Sequence, residues 1–114
     1  MLNSIDRASG SGKRDYAILM LLSRYGLRAS DICLLKFENI LWEENKIVLD
    51  LYKTGNRLEL PLLKEVGEAV IDYLKYGRQK STLPNVFLRL KSPYGQMISH
   101  SISDAVNKAM RLPE

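Results

Sequence analysis

The sequence predicts an α+β domain, mainly helical, in which helices surround a small antiparallel three-stranded sheet. Three features predict it: an apolar stretch from Lys13 to Tyr25, two alternating leucine rows in the middle, and two later segments with helical spacing. At 114 residues, the chain is long enough for one small domain or part of a larger one.

Each element follows from its residues. Ala8-Ser9-Gly10-Ser11-Gly12 reads as a small-residue loop. From Lys13 to Tyr25 the chain is apolar almost throughout, and a helix apolar on all sides must be buried on all sides. Gly26 supplies the positive φ that ends it. Ser30 reads as the cap of a short helix, with Asp31 in its first turn and Ile32, Cys33, Leu34 and Leu35 following.

The β region comes next. Ile40-Leu41-Trp42 makes a first strand, and Glu43-Glu44-Asn45 turns the chain. Ile47, Leu49 and Leu51 then alternate with Val48, Asp50 and Tyr52, and Leu58, Leu60 and Leu62 with Glu59 and Pro61. Setting these rows face to face pairs 51 with 58, 49 with 60 and 47 with 62. That register leaves a two-residue loop, Thr54-Gly55, closed by Lys53 and Asn56; because Thr-Gly is a less favourable loop than Asn-Gly, a longer Thr54-Gly55-Asn56 turn is the alternative. Val66, Ala69, Val70, Tyr73 and Leu74 define an amphipathic helix that Gly77 stops. Pro84 and Pro93 bracket a connection containing Val86-Phe87-Leu88. A last helix carries Ile102, Ala105, Val106, Ala109 and Met110 on one face, capped by Ser99 or Ser101, the latter spaced with Asp104 like a capping box.

Composition narrows the chemistry. The net charge of +4 gives weak support for a polyanionic partner. One histidine and one cysteine exclude an internal disulfide and a zinc centre built from these side chains. Cys33 sits in an apolar pattern and reads as a small buried hydrophobe. No apolar run reaches the ~20 residues that span a bilayer. The N-terminus lacks the pattern of a signal peptide. These features point to a cytoplasmic, metal-free protein.

The stretch Gly26-Leu27-Arg28-Ala29-Ser30-Asp31-Ile32, entered from the Lys13–Tyr25 helix, resembles the start of the tyrosine-recombinase (phage-integrase-type) catalytic domain. The likeness continues in order through the Trp42 strand, the hairpin Tyr52-Lys53-Thr54-Gly55-Asn56, the strand Leu58-Glu59-Leu60-Pro61-Leu62 and the Val86-Phe87 segment. The resemblance implies the fold of the DNA breaking-rejoining enzymes. It implies Arg28 as a catalytic arginine, Lys53 as the hairpin lysine that protonates a departing 5′ oxygen, and Asp31 as support for Arg28. It also implies DNA as partner, a 3′-phosphotyrosyl intermediate, no cofactor, and a full-length parent that forms a homo-oligomer on DNA.

The residues fit those roles. Cleaving a phosphodiester builds negative charge on non-bridging oxygens, which a fixed guanidinium fork can clamp. Lys53 falls on the face of Leu49 and Leu51, just beyond the apolar row. Lys13, Arg14 and Arg57 are candidate phosphate contacts, and Arg78, Lys80, Arg89 and Lys91 form a looser basic cluster.

The family pattern also calls for a His-x-x-Arg box, a further His or Trp, and a nucleophilic tyrosine. This sequence has none of them: His100 is followed three residues later by Ser103, and no tyrosine has the family's context. Residues 1–114 are therefore expected to be part of a catalytic domain, without the core-binding domain and the C-terminal catalytic third, and inactive alone. Two other classes stay open on the residues. One is a non-catalytic helix-turn-helix module, although Ile32-Cys33-Leu34-Leu35 is too apolar for base edges. The other is a truncated chain that pairs with an intact recombinase and modulates it.

Overall fold

Helix α1 begins earlier than the loop reading of residues 8–12 predicts. The Ser9 hydroxyl accepts the Gly12 N–H at 2.9 Å, so Gly10-Ser11-Gly12 becomes the first turn of α1 (Gly10–Tyr25). The side-chain cap satisfies a donor that would otherwise lack a partner at the helix start, and this outweighs the two glycines. The helix stops as expected: Gly26 has φ 66° and returns its N–H to Leu22. The structure, a computed structural model, describes residues 9–50, 55–89, 95, 97–98 and 102. The predicted final helix, apart from Ile102, and the hairpin residues 51–54 lie outside them.

Helix α2 (Ala29–Cys33) also starts earlier than its sequence suggests, with Arg28 and not Ser30 at the cap position. Two short 3-10 turns, Phe37–Asn39 and Trp42–Glu44, flank strand β1 (Ile40–Leu41). Strands β2 (Lys46–Asp50) and β3 (Arg57–Pro61) complete an antiparallel sheet ordered β1-β2-β3. Helix α3 (Lys64–Tyr76) follows, with its expected apolar face buried.

The hairpin register differs from the predicted one by two residues. Leu49 faces Leu58 and Ile47 faces Leu60, whereas the leucine rows suggested 49 with 60 and 47 with 62. Side chains alternate with period two, so a two-residue shift keeps every leucine on its own face, and hydrophobic pattern cannot distinguish the registers. The turn at Asn45 decides instead. Asn45 adopts a left-handed conformation (φ 54°), and its carbonyl takes the Leu62 N–H at 2.8 Å, so Leu62 lies beyond the strand. Pro61 then ends an edge strand, where a missing N–H costs least.

One continuous core unites these elements. Ala17, Ile18 and Leu21 of α1 meet Val66, Val70 and Tyr73 of α3, with Ile47 and Leu49 of the sheet and Val86-Phe87 closing the cluster. Tyr73 stacks on Phe87, ring centroids 5.3 Å apart, and its hydroxyl accepts the Leu88 N–H at 3.2 Å. The Tyr25 hydroxyl donates to the Pro61 carbonyl at 2.7 Å and accepts the Leu63 N–H at 3.0 Å, which ties the end of α1 to the start of α3. Where α1 starts and α3 ends, Gly10 and Gly77 bring two backbones together. A Cβ on Gly77 would lie 2.9 Å from the Tyr73 ring and 3.1 Å from the Gly10 carbonyl. Among the described residues no helix is long and apolar enough to cross a membrane.

Gly77→Ala is expected to lower the urea midpoint by an amount equivalent to about 1–3 kcal/mol, because neither the buried ring nor the backbone can withdraw freely. Burial pushes the Tyr73 and Tyr25 phenols above their ordinary value of 10.0. Both therefore favour the folded state while protonated. That contribution is complete below pH 10 and fades as pH rises past it. Unfolding free energy should fall above pH 10, and Tyr73→Phe should flatten that fall while costing about 1–3 kcal/mol at neutral pH through the stranded Leu88 N–H.

Candidate functional site

Arg28 occupies the junction between α1 and α2 in extended conformation (φ −91°, ψ 158°). Its neighbours fix the backbone there. The Asp31 carboxylate, 7% exposed, accepts the Arg28 backbone N–H through Oδ2 at 3.2 Å. This is the reach-back half of a capping box. A guanidinium has no acceptor and cannot supply the other half. The contact explains why the helix starts at Ala29 and not after Ser30: the acid three residues into the chain fits Arg28 as cap. Asp31 thus holds the main chain from which the guanidinium springs. Arg28 itself is exposed, and its side chain has no ion-pair partner among the described residues.

Asp31 also borders a cleft of about 220 Å³, lined with it by Leu34, Lys36, Glu38, Leu49 and Asp50, among others. Asp31 of α2, Leu34 just after it, and the end of β2 therefore share one small space. Asp50 is the last described residue of β2. Lys53, three positions further on, lies outside the described residues. Gly55, on the far side of the hairpin, has φ 74°, a conformation that suits glycine in a turn.

The other predicted phosphate contacts have intramolecular partners. Lys13 pairs with Asp72 of α3 at 2.8 Å, its ammonium 5.7 Å from the centre of the Tyr76 ring. Arg14 pairs with buried Asp15 at 3.0 Å. Arg57 is exposed and only loosely paired with Glu59, at 3.9 Å. The structure thus groups Asp31 with Arg28 and does not bring Lys13 or Arg14 to them through any of these contacts.

Sequence reasoning misses the role of Arg78, which it places only in a loose basic cluster with Lys80, Arg89 and Lys91. Its guanidinium donates to the carbonyls of Asn85 (2.8 Å), Leu83 (3.0 Å), Val86 (3.1 Å) and Gln79 (3.4 Å), and stacks on Phe37 at 4.8 Å. No local pattern reports such contacts, because all but one of the acceptors lie five or more residues away. Asn85 was missed as well. It is buried, and its Nδ2 donates to the carbonyl of Cys33 at 3.3 Å, where α2 ends. Among the described residues, no group of three or more His, Cys, Asp or Glu side chains is disposed to hold a metal.

The family model described as "Phage integrase family" matches residues 1–113. Two Sinorhizobium fredii (strain NBRC 101917 / NGR234) proteins named "Putative integrase/recombinase", y4rA and y4gC, are similar to the chain. The first is 42% identical over 93 residues, covering 82% of this chain and 22% of its own length. The second is 39% identical over 87 residues, covering 76% of this chain and 45% of its own length. The chain therefore spans less than half of either relative. The crystal structure of XerA recombinase superposes with a TM-score of 0.67 at 22% identity, over 85% of this chain and 36% of that one, a likeness of fold.

Replacing Asp31 with alanine should cost about 0.5–2 kcal/mol of stability and speed hydrogen exchange at the Arg28 amide. Asp31→Asn, which keeps an acceptor oxygen, should cost less. Equal losses in the two variants, measured by urea unfolding and amide exchange, would contradict the cap.

Proposed function

This chain belongs to the phage integrase family, and on that premise we propose that it supplies part of a DNA strand-transfer site in which Arg28 clamps a backbone phosphate and Lys53 acts as general acid. The observation that carries this reading is the shared cleft. Asp31 and Asp50 line one space, and each stands three residues from one of the two cations. Three residues span at most about 10 Å, so covalent geometry keeps Lys53 within that distance of Asp50 and of the cleft that Asp31 also lines.

The proposed chemistry is a transesterification. A tyrosine hydroxyl, which none of this chain's six tyrosines is assigned to supply, attacks phosphorus and gives up its proton to a base that is likewise not assigned to this chain. The new P–O bond forms at the 3′ phosphate as the bond to the 5′ oxygen breaks, and that oxygen takes a proton from the Lys53 ammonium. Arg28 meets the charge that grows on the non-bridging oxygens. Its fork favours the transition state most where the guanidinium is already fixed, and the Asp31 cap fixes its backbone. A parent protein with the missing groups would break and rejoin DNA. This chain alone would bind DNA without cutting it.

Fluorescence anisotropy with a short duplex tests the clamp. Affinity should fall linearly with salt on logarithmic axes, and Arg28→Ala should weaken binding about tenfold and reduce the salt slope by roughly 1. Lys53→Ala should weaken it in the same sense. Unchanged binding in both variants would refute the reading. Incubation with a suicide duplex should give no covalent protein–DNA adduct, and detecting one would overturn the assignment of the nucleophile to residues outside this chain.

A further inference from the structure

We propose that Arg78 is a positioning residue for Arg28, acting through the 84–86 segment on the exit of α2; this rests on the reading of Arg28 as a phosphate clamp. The case starts from length. A helix of five residues cannot keep its own shape, since isolated helices shorter than about 12 residues are marginal in water. Its direction must be imposed at both ends. Asp31 secures the entrance, and the exit is secured from elsewhere in the chain.

The exit is strapped to a short extended segment. Asn85 Nδ2 donates to the Cys33 carbonyl, Val86 N–H to the Leu35 carbonyl at 2.9 Å, and Phe37 N–H to the Pro84 carbonyl at 3.0 Å. Lys36 and Asn85 form an antiparallel bridge. The strap is a loop and needs a scaffold of its own. Arg78 provides it: one guanidinium takes carbonyls at both ends of the 79–86 loop, and its plane covers Phe37 on the α2 side. Arg78 is itself anchored, its backbone N–H bonded to the Tyr73 carbonyl at 2.7 Å as α3 ends at the crowded Gly77. A planar group with five donors can hold several diverging carbonyls at once, which an ammonium on a flexible stem cannot do.

The test uses the isotopically labelled chain and a short duplex. Arg78→Lys keeps the charge and removes the fork. It should remain folded by circular dichroism, shift the α2 amides (residues 29–33), broaden the Arg28 Nε–Hε signal, and weaken duplex binding about three- to tenfold. In an Arg28→Ala background the same change should weaken binding no further. Additive losses would show that Arg78 contacts DNA independently or acts only on global stability, and wild-type binding by Arg78→Lys would show that its charge is what matters. Each result overturns the proposal. If Arg28→Ala alone leaves binding unchanged, the clamp reading fails, and the α2 and Arg28 signals still decide the positioning claim: unperturbed signals refute it. Should Arg78→Lys unfold, Asn85→Ala breaks the same strap at its last link and must give the same spectral changes.

Discussion

The α2 turn carries the residue on which the functional reading depends, and it is too short to hold itself. Everything around it compensates. The buried Asp31 carboxylate fixes its first N–H, Ile32 and Cys33 are buried in the core, and Asn85 takes the carbonyl at its end. A phosphate clamp needs a guanidinium whose backbone does not move during the reaction, with a head that stays free for its anion. Arg28 combines both conditions: restrained main chain, exposed side chain.

The distribution of the other charges sharpens this contrast. The net charge gave weak support for a polyanionic partner, but Lys13, Arg14 and Arg78 are engaged within the fold, in an interhelical ion pair, a pair with a buried acid, and a set of backbone carbonyls. Composition counts these residues with the solvated ones. Their partners become visible only when α1 and α3 are packed and the 79–86 loop is closed. Arg28 and Arg78 are alike in a sequence; in space the Arg28 side chain has no ion-pair partner among the described residues, whereas the Arg78 guanidinium donates to four backbone carbonyls.

Much of the architecture was legible because it is written in local terms. Gly26 and Gly77 mark the helix ends, the apolar spacing from Val66 to Leu74 marks α3, and the alternating leucines mark the hairpin. Three features were not legible, each for a physical reason. The start of α1 depended on a hydroxyl reaching three residues forward across two glycines. The start of α2 depended on which residue Asp31 would reach back to. The register depended on a turn at Asn45, since a shift by two leaves the pattern of faces untouched. Arg28 and Asp31 were singled out by their ordered context, and their roles belong to the proposed reading; the strap from Arg78 to Asn85 was not legible, because most of its acceptors are backbone carbonyls, which any sequence possesses.

The central claim is that two cations, one at the entrance of α2 and one beyond the end of β2, meet at a single phosphate. The most direct measurement is a crystal structure of the chain bound to a short duplex. The account predicts the Arg28 guanidinium and the Lys53 ammonium each within roughly 3 Å of oxygens of the same phosphate group. A well-ordered complex with the two side chains directed to opposite sides of the protein, or to separate phosphates, would contradict it.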